Sequence, residues 1–110
     1  MNYVKIDIKP LSVNEAWKGR RFKTDKHKEW RNALKFLLPN IKTDFKGRLR
    51  IYFEFGFSSI LSDVDNPVKP LLDTLQDKYR FNDRDVYEIN IKKALVDKGN
   101  EYIKFKIEQL

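Results

Sequence analysis

Leu49, Ile51, Phe53, Phe55 and Phe57 fill every second position of one stretch. Successive side chains of a strand point to opposite faces, so this pattern makes one face wholly large and apolar. A face of that size has to be covered, and a strand carrying it belongs at the centre of a sheet. With 110 residues, the chain is long enough for one domain with one core and hardly for two. Hydrophobic residues make up 41 % of it and aromatic residues 14 %, which supports a packed core rather than disorder.

The other elements are arranged around that strand. Val4, Ile6 and Ile8 alternate with Lys5, Asp7 and Lys9 as a half-buried strand ended by Pro10. Residues 11–24 lack a period and read as a loop. Thr24 is an N-cap residue for a helix running to Pro39, with Trp30, Ala33, Leu34, Leu37 and Leu38 as its apolar stripe. Trp30 is expected in the core and His27 on the helix surface. Asn66 followed by Pro67 marks a second helix start, an N-cap and then proline at the first helical position. Val68, Leu71, Leu72, Leu75 and Tyr79 form its buried face, and Pro70 is awkward so early in it. Tyr87, Ile89 and Ile91 alternate as a third strand, and Ile103, Phe105 and Ile107 as a fourth. These two pair most simply as an antiparallel hairpin across the turn at 97–100. The expected architecture is a single α/β domain over 1–110, of α+β type. It has a four-stranded mixed sheet and two helices, in the order β-α-β-α-β-β.

Composition removes several kinds of chemistry. There is no cysteine, so disulfides, zinc thiolates and thiol catalysis are excluded, and one histidine cannot build a poly-His site. A metal here would be held by oxygen, which favours a hard cation such as Mg²⁺ or Mn²⁺. No apolar run approaches the roughly 20 residues that cross a bilayer. The first ten residues alternate without a signal-peptide core. A soluble, cytoplasmic protein with no membrane partner is the expectation.

Against this background, residues 63–69 read Asp-Val-Asp-Asn-Pro-Val-Lys, and Asp83 follows in a second polar turn. Asp63 and Asp65 lie between the central strand and a helix start, and Asp83 lies just before the next strand. Spacing alone does not bring the two turns together. If they meet, three carboxylates repel one another, and a divalent cation relieves that repulsion. Such a metal polarises a phosphoryl oxygen and lowers the pKa of bound water, and the Lys69 ammonium offsets charge building on phosphate. The same residues also describe an ordinary capped helix start, with aspartate favoured by the helix dipole. Asp73 and Asp77 read as solvated helix residues, with Asp73 in reach of Lys69 one turn earlier. Asp85 reads as turn chemistry.

The chain as a whole carries a net charge of +7. Lys18, Arg20, Arg21, Lys23, Lys26, Lys28 and Arg31 face only Asp25 and Glu29, a local excess of five positive charges. Such density neutralises several phosphates, and Trp17 and Phe22 within it are able to stack on unpaired bases. A solvated charged loop with aromatics tucked into the core explains the segment equally well.

These residues together resemble the RusA family of Holliday junction resolvases. The resemblance rests on Asp63-Val-Asp65-Asn66-Pro-Val-Lys69, then Asp73, then Phe81-Asn82-Asp83 and Val86. Upstream, Pro10-Leu-Ser12-Val-Asn14 followed by Arg20, Arg21 and Lys23 is similar to that family's N-terminal segment. It covers nearly the whole domain. It implies a small homodimeric, Mg²⁺-dependent endonuclease, with Mn²⁺ as a substitute, that cuts four-way junction DNA by paired incisions and needs no small-molecule cofactor. Carried over by position, Asp63, Asp65 and Asp83 would be metal-binding catalytic aspartates and Lys69 the catalytic lysine. Asn14, Lys18, Arg20, Arg21 and Lys23 would contact DNA. Two departures stand out: Asn82 occupies a position where the family often has aspartate, and Pro70 follows the lysine. Three other readings are a broader nuclease of flaps and forks, a DNA- or RNA-binding module without catalysis, and a host-interaction protein whose charge is incidental.

Overall fold

The computed structural model describes residues 2–12, 17, 18, 22–41 and 44–110, and of residues 17, 18, 22 and 23 the backbone alone. The strands are β1 (Val4–Ile6), β2 (Trp17–Lys18), β3 (Phe22–Lys23), β4 (Leu49–Phe57), β5 (Val86–Leu95) and β6 (Tyr102–Gln109). Helix α1 spans Asp25–Leu37 and α2 spans Val68–Tyr79, and a 3₁₀ turn covers Asp83–Asp85. Four strands form a mixed sheet in the order β1-β6-β4-β5. β2 and β3 pair separately, so a small hairpin lies inside the segment that reads as a loop.

β4 lies inside the sheet as its pattern requires. Leu49, Ile51, Phe53, Phe55 and Phe57 are all buried. Trp30, Leu34 and Leu38 from α1 and Leu71, Leu75 and Tyr79 from α2 join them in one core. Burying each of these large side chains is worth about 1.5–3 kcal/mol. The two helices are also tied to each other, because Arg31 and Lys35 of α1 both pair with Asp77 of α2.

The expected hairpin between the last two strands does not form. β5 pairs in parallel with β4, and β6 runs antiparallel between β4 and β1. The apolar faces decide this. Ile103, Phe105 and Ile107 are fully buried, so β6 takes an inner place, whereas Tyr87, Ile89 and Leu95 of β5 stay exposed. A β4-α2-β5 crossover also makes its strands parallel by construction. The chain then passes the C-terminal end of β4, where Val96 N–H donates to the Phe57 carbonyl at 2.8 Å, and enters β6 on the other side.

The α1 start agrees with its sequence signal: the Thr24 hydroxyl accepts from His27 N–H at 3.1 Å. Its buried stripe is displaced by part of a turn from the expected one. His27 is fully buried instead of lying on the surface, whereas Ala33 and Leu37 are exposed. The displacement follows from Trp30, whose indole N–H donates to the Lys9 carbonyl at 2.8 Å and fixes the helix's rotation against the segment after β1. Pro70 costs the helix no hydrogen bond. It is the third residue of α2, a position whose N–H has no partner within a helix. Gly56 serves a close approach on the other face of the sheet, where a Cβ would lie 2.4 Å from the Tyr102 ring. The Tyr102 hydroxyl donates to Glu54 at 2.6 Å, and that bond pushes its pKa up to about 12. No helix among the described residues is long and apolar enough to cross a membrane.

The Asp77 carboxyl is held below its ordinary value of 3.8, first by the hydrogen bond from Lys35 and then by that from Arg31. A depressed pKa contributes stability above the unfolded value, and that stability is lost as pH falls through the folded one. Asp77→Asn should therefore lower stability at neutral pH by no more than about 1 kcal/mol, because the pair is solvent-screened. Thermal unfolding followed from pH 7 down to pH 2 should show the gap to the unsubstituted chain closing once pH drops below about 3.8.

Candidate functional site

The residues singled out by the sequence fall on two turns at opposite ends of α2. The first turn leaves the C-terminal end of β4. Ser62 N–H donates to the Ser59 carbonyl at 3.3 Å, Asn66 N–H to Asp63 at 3.3 Å, and Val68 N–H to Asp65 at 3.1 Å. These bonds present Asp63 and Asp65 outward as exposed side chains two residues apart. Asn66 does not cap the helix as expected. Pro67 holds the N-cap place in helical geometry with no side-chain cap, and the Asn66 amide instead donates to the Asp63 carboxylate at 3.3 Å. Lys69 is the second residue of α2, its side chain 63 % exposed and its Nζ 3.9 Å from Asp73. That contact joins the one pair foreseen on this helix.

The second turn follows α2. Arg80 ends the helix in the left-handed region with φ 55°, and its N–H donates to the Gln76 carbonyl at 2.8 Å. Asn82 then caps the 3₁₀ turn by accepting from Arg84 N–H at 3.0 Å. Asp83 is exposed, and its own N–H donates to the Gln76 side-chain oxygen at 2.9 Å. The amide at position 82 thus has a structural task of its own.

The geometry separates Asp83 from Asp63 and Asp65. The Asp65 backbone carbonyl accepts from Val68 N–H at the start of α2, and the Asp83 backbone N–H donates to the side chain of Gln76, eight residues further along. Eight residues of helix are about 12 Å of axis. Oxygen ligands of Mg²⁺ lie about 2.1 Å from the ion, so carboxylates that share one must nearly touch. Among the described residues no group of three or more His, Asp or Glu side chains is placed to hold a metal ion. The donors themselves suit a hard cation: Asp63 and Asp65 are two exposed carboxylates on one turn, and Mg²⁺ often takes one or two carboxylates and keeps its waters. Within one chain the three-carboxylate set is left in two parts.

Asn14, Arg20 and Arg21 lie outside the described residues. Lys18 and Lys23 are described as backbone, in β2 and β3 respectively, where Trp17 aligns with Lys23 and Lys18 with Phe22.

Two residues matter here that sequence reasoning passed over. Gln76 positions the Asp83 backbone. Lys93 positions the loop ahead of Asp63, donating to the Ile60 carbonyl at 2.8 Å and the Ser62 carbonyl at 2.6 Å. The signal for Lys93 was its parity. It shares the inward phase of Ile89 and Ile91, where an apolar residue is expected. Gln76 left no such mark. No protein-family model matches this chain, and no curated protein matches it.

Lys93→Met keeps the stem of the side chain and removes both hydrogen bonds from its ammonium group. Bonds to a charged group are worth roughly 1.5–3 kcal/mol each. Amide exchange across residues 58–66, read by mass spectrometry, should therefore quicken by about tenfold or more, with exchange in β6 unchanged.

Proposed function

We propose that this chain is a divalent-metal-dependent endonuclease of branched DNA that resolves four-way junctions by paired cuts, acting as a homodimer. The observation that carries the reading is one exposed turn. Asp63 and Asp65 are both exposed, two residues apart in the turn ahead of α2, and the exposed Lys69 is the second residue of that helix. Their order along the chain is the Asp-x-Asp-Asn-x-x-Lys pattern that resembles the RusA resolvases. The helix dipole favours negative charge at this end.

Asp63 and Asp65 would hold Mg²⁺, or Mn²⁺ in its place, and Asp83 would complete the set from a second copy of the chain. A bound Mg²⁺ there supplies Lewis-acid polarisation of the scissile phosphate and a water of lowered pKa. The chain's residues do the rest. Asn66 orients the Asp63 carboxylate, and Lys93 fixes the approach of the loop. Lys69, drawn toward Asp73 in the absence of substrate, offsets the charge that develops on the phosphate oxygens. Asn14, Lys18, Arg20, Arg21 and Lys23 bind the DNA backbone through the basic segment, a contribution that weakens steeply with salt. A two-fold dimer offers two equivalent sites to two symmetric strands.

The separation of Asp83 from the other carboxylates favours a second reading, a branched-DNA-binding protein of broader selectivity that does not cut. Incubating the protein with an end-labelled four-way junction, with Mg²⁺ and with EDTA, separates the two. Symmetric paired nicks that need Mg²⁺ support the resolvase. Tight, salt-sensitive binding without cuts supports the second reading.

Asp65→Asn removes one metal-binding charge with almost no change in shape. Cleavage should fall by about a thousandfold or more, given what a metal contributes to phosphoryl transfer. Junction binding measured by gel shift should hold or tighten, since a negative charge beside phosphate is gone. A variant that still cuts at the parental rate would sink the assignment.

A further inference from the structure

β5 is the edge of the sheet next to β4, and its other side pairs with no strand among the described residues. It runs Val86–Leu95, longer than any other strand of the fold. An edge of this length presents a row of backbone donors and acceptors ready to pair with another strand. Exposed apolar side chains lie along it among charged ones. Tyr87 is 62 % exposed and Leu95 60 %, and Ile60 and Leu61, on the loop that Lys93 holds, are 73 % and 85 % exposed. Ile89 adds a further exposed apolar side chain in the middle of the strand.

We infer that the free edge of β5 is the seam along which a second copy of this chain pairs, antiparallel, about a two-fold axis at Asn90. The charges choose both the occupant and the register. Glu88 and Lys92 flank Asn90 at equal distance and share its face of the sheet. In antiparallel pairing centred on Asn90, Glu88 lies opposite the partner subunit's Lys92, and Lys92 opposite the partner subunit's Glu88. Glu88 is already paired with Arg50 of its own chain, and the partner's lysine adds a second, cross-strand opposite charge to it in both copies. On the other face Ile89 meets the partner subunit's Ile91. The edge is thus self-complementary, as an isologous interface must be.

A second, independent consequence supports the same seam, and this part rests on the endonuclease reading. Antiparallel pairing sets the beginning of β5 beside the end of the partner's β5. Asp85 then stands opposite the partner subunit's Leu95, one strand spacing of about 4.8 Å away. The Asp83 turn, on the helix side of the sheet through its bond to Gln76, comes up against the partner's loop held by the partner subunit's Lys93. That loop leads directly into Asp63 and Asp65. The two halves of the acidic set, which α2 holds apart within one chain, face each other across the seam. Tyr87 and the Ile60-Leu61 pair extend the contact beyond the strands, toward the 1,200 Å² or so that a stable dimer buries.

The chain has no cysteine, which makes the register directly testable. Asn90→Cys places two thiols on the axis, within reach of a disulfide. Lys92→Cys places them four residues apart along the strands, about 13 Å, out of reach. Mild oxidation of the full-length chain should give a covalent dimer with Asn90→Cys and not with Lys92→Cys, as read on a non-reducing gel. In sedimentation velocity the parent chain should be a dimer. Lys92→Glu, which sets glutamates opposite one another, should weaken it on the order of tenfold with an unchanged circular dichroism spectrum. A parent that stays monomeric, equal crosslinking of both cysteine variants, crosslinking of neither, or a dimer indifferent to Lys92→Glu each overturns the seam. Junction cleavage assayed on the same samples keeps the two ideas apart. A seam that passes without cleavage removes the endonuclease reading alone, and cleavage by a chain that fails the crosslinking test removes the seam alone.

Discussion

Burial of one face of β4 governs the rest of this structure. Leu49, Ile51, Phe53, Phe55 and Phe57 put more apolar surface on one strand than any single neighbour covers. β4 is therefore flanked on both edges, by β6 and β5, and roofed by α1 and α2. The connections obey that demand. α2 carries the chain back so that β5 enters parallel, and the next turn crosses the end of β4 so that β6 enters on the far side. The opposite face is left to Tyr52, Glu54, Tyr102 and charged residues, joined by contacts such as those of Arg50 with Glu88 and Glu108. Pairs of this kind at a surface contribute little to stability each, so the weight of the fold rests on the covered face.

The same topology distributes the acidic residues. A parallel crossover begins at the C-terminal end of one strand and finishes at the N-terminal end of the next, so the turns before and after α2 lie at opposite ends of the sheet. Asp63 and Asp65 belong to one and Asp83 to the other. What makes each turn well formed lies within the chain: Lys93 of β5 gripping two carbonyls ahead of Asp63, and Gln76 receiving the Asp83 amide. A site shared by the two turns, as proposed above, would need a second copy of the chain. The exposed edge of β5 is the feature of the fold that runs from one of these turns to the other.

Much of the fold was legible in the residues. The alternation at 49–57 and the Thr24 cap each express a local preference that packing reinforces, and each stands where its pattern puts it; the face of α2 agrees in Leu71, Leu75 and Tyr79, whereas Val68 and Leu72 are only half-buried and Pro70 and Thr74 take buried places beside them. Legibility failed where two elements compete for one partner. Strands at 87–91 and 103–107 are close in sequence and separated by a turn, which suggests a hairpin. Both prefer β4, because its face is the more apolar. His27 failed for a related reason. Its residue type says surface, but the bond from Trp30 to the Lys9 carbonyl sets the rotation of α1 and turns His27 inward.

The sequence by itself determined which residue types stand at which short spacings: the paired aspartates, the lysine four residues on, the later aspartate and the basic segment. Residue type and short spacing settle such things, because they act within a turn or two of chain. Only the tertiary structure decided the distances among them. Asp63 and Asp83 are joined through α2, and the end-to-end length of a helix, with the direction in which it returns the chain, is fixed by what its apolar face packs against. That packing placed the two acidic turns on opposite ends of the sheet and left β5 open at its edge.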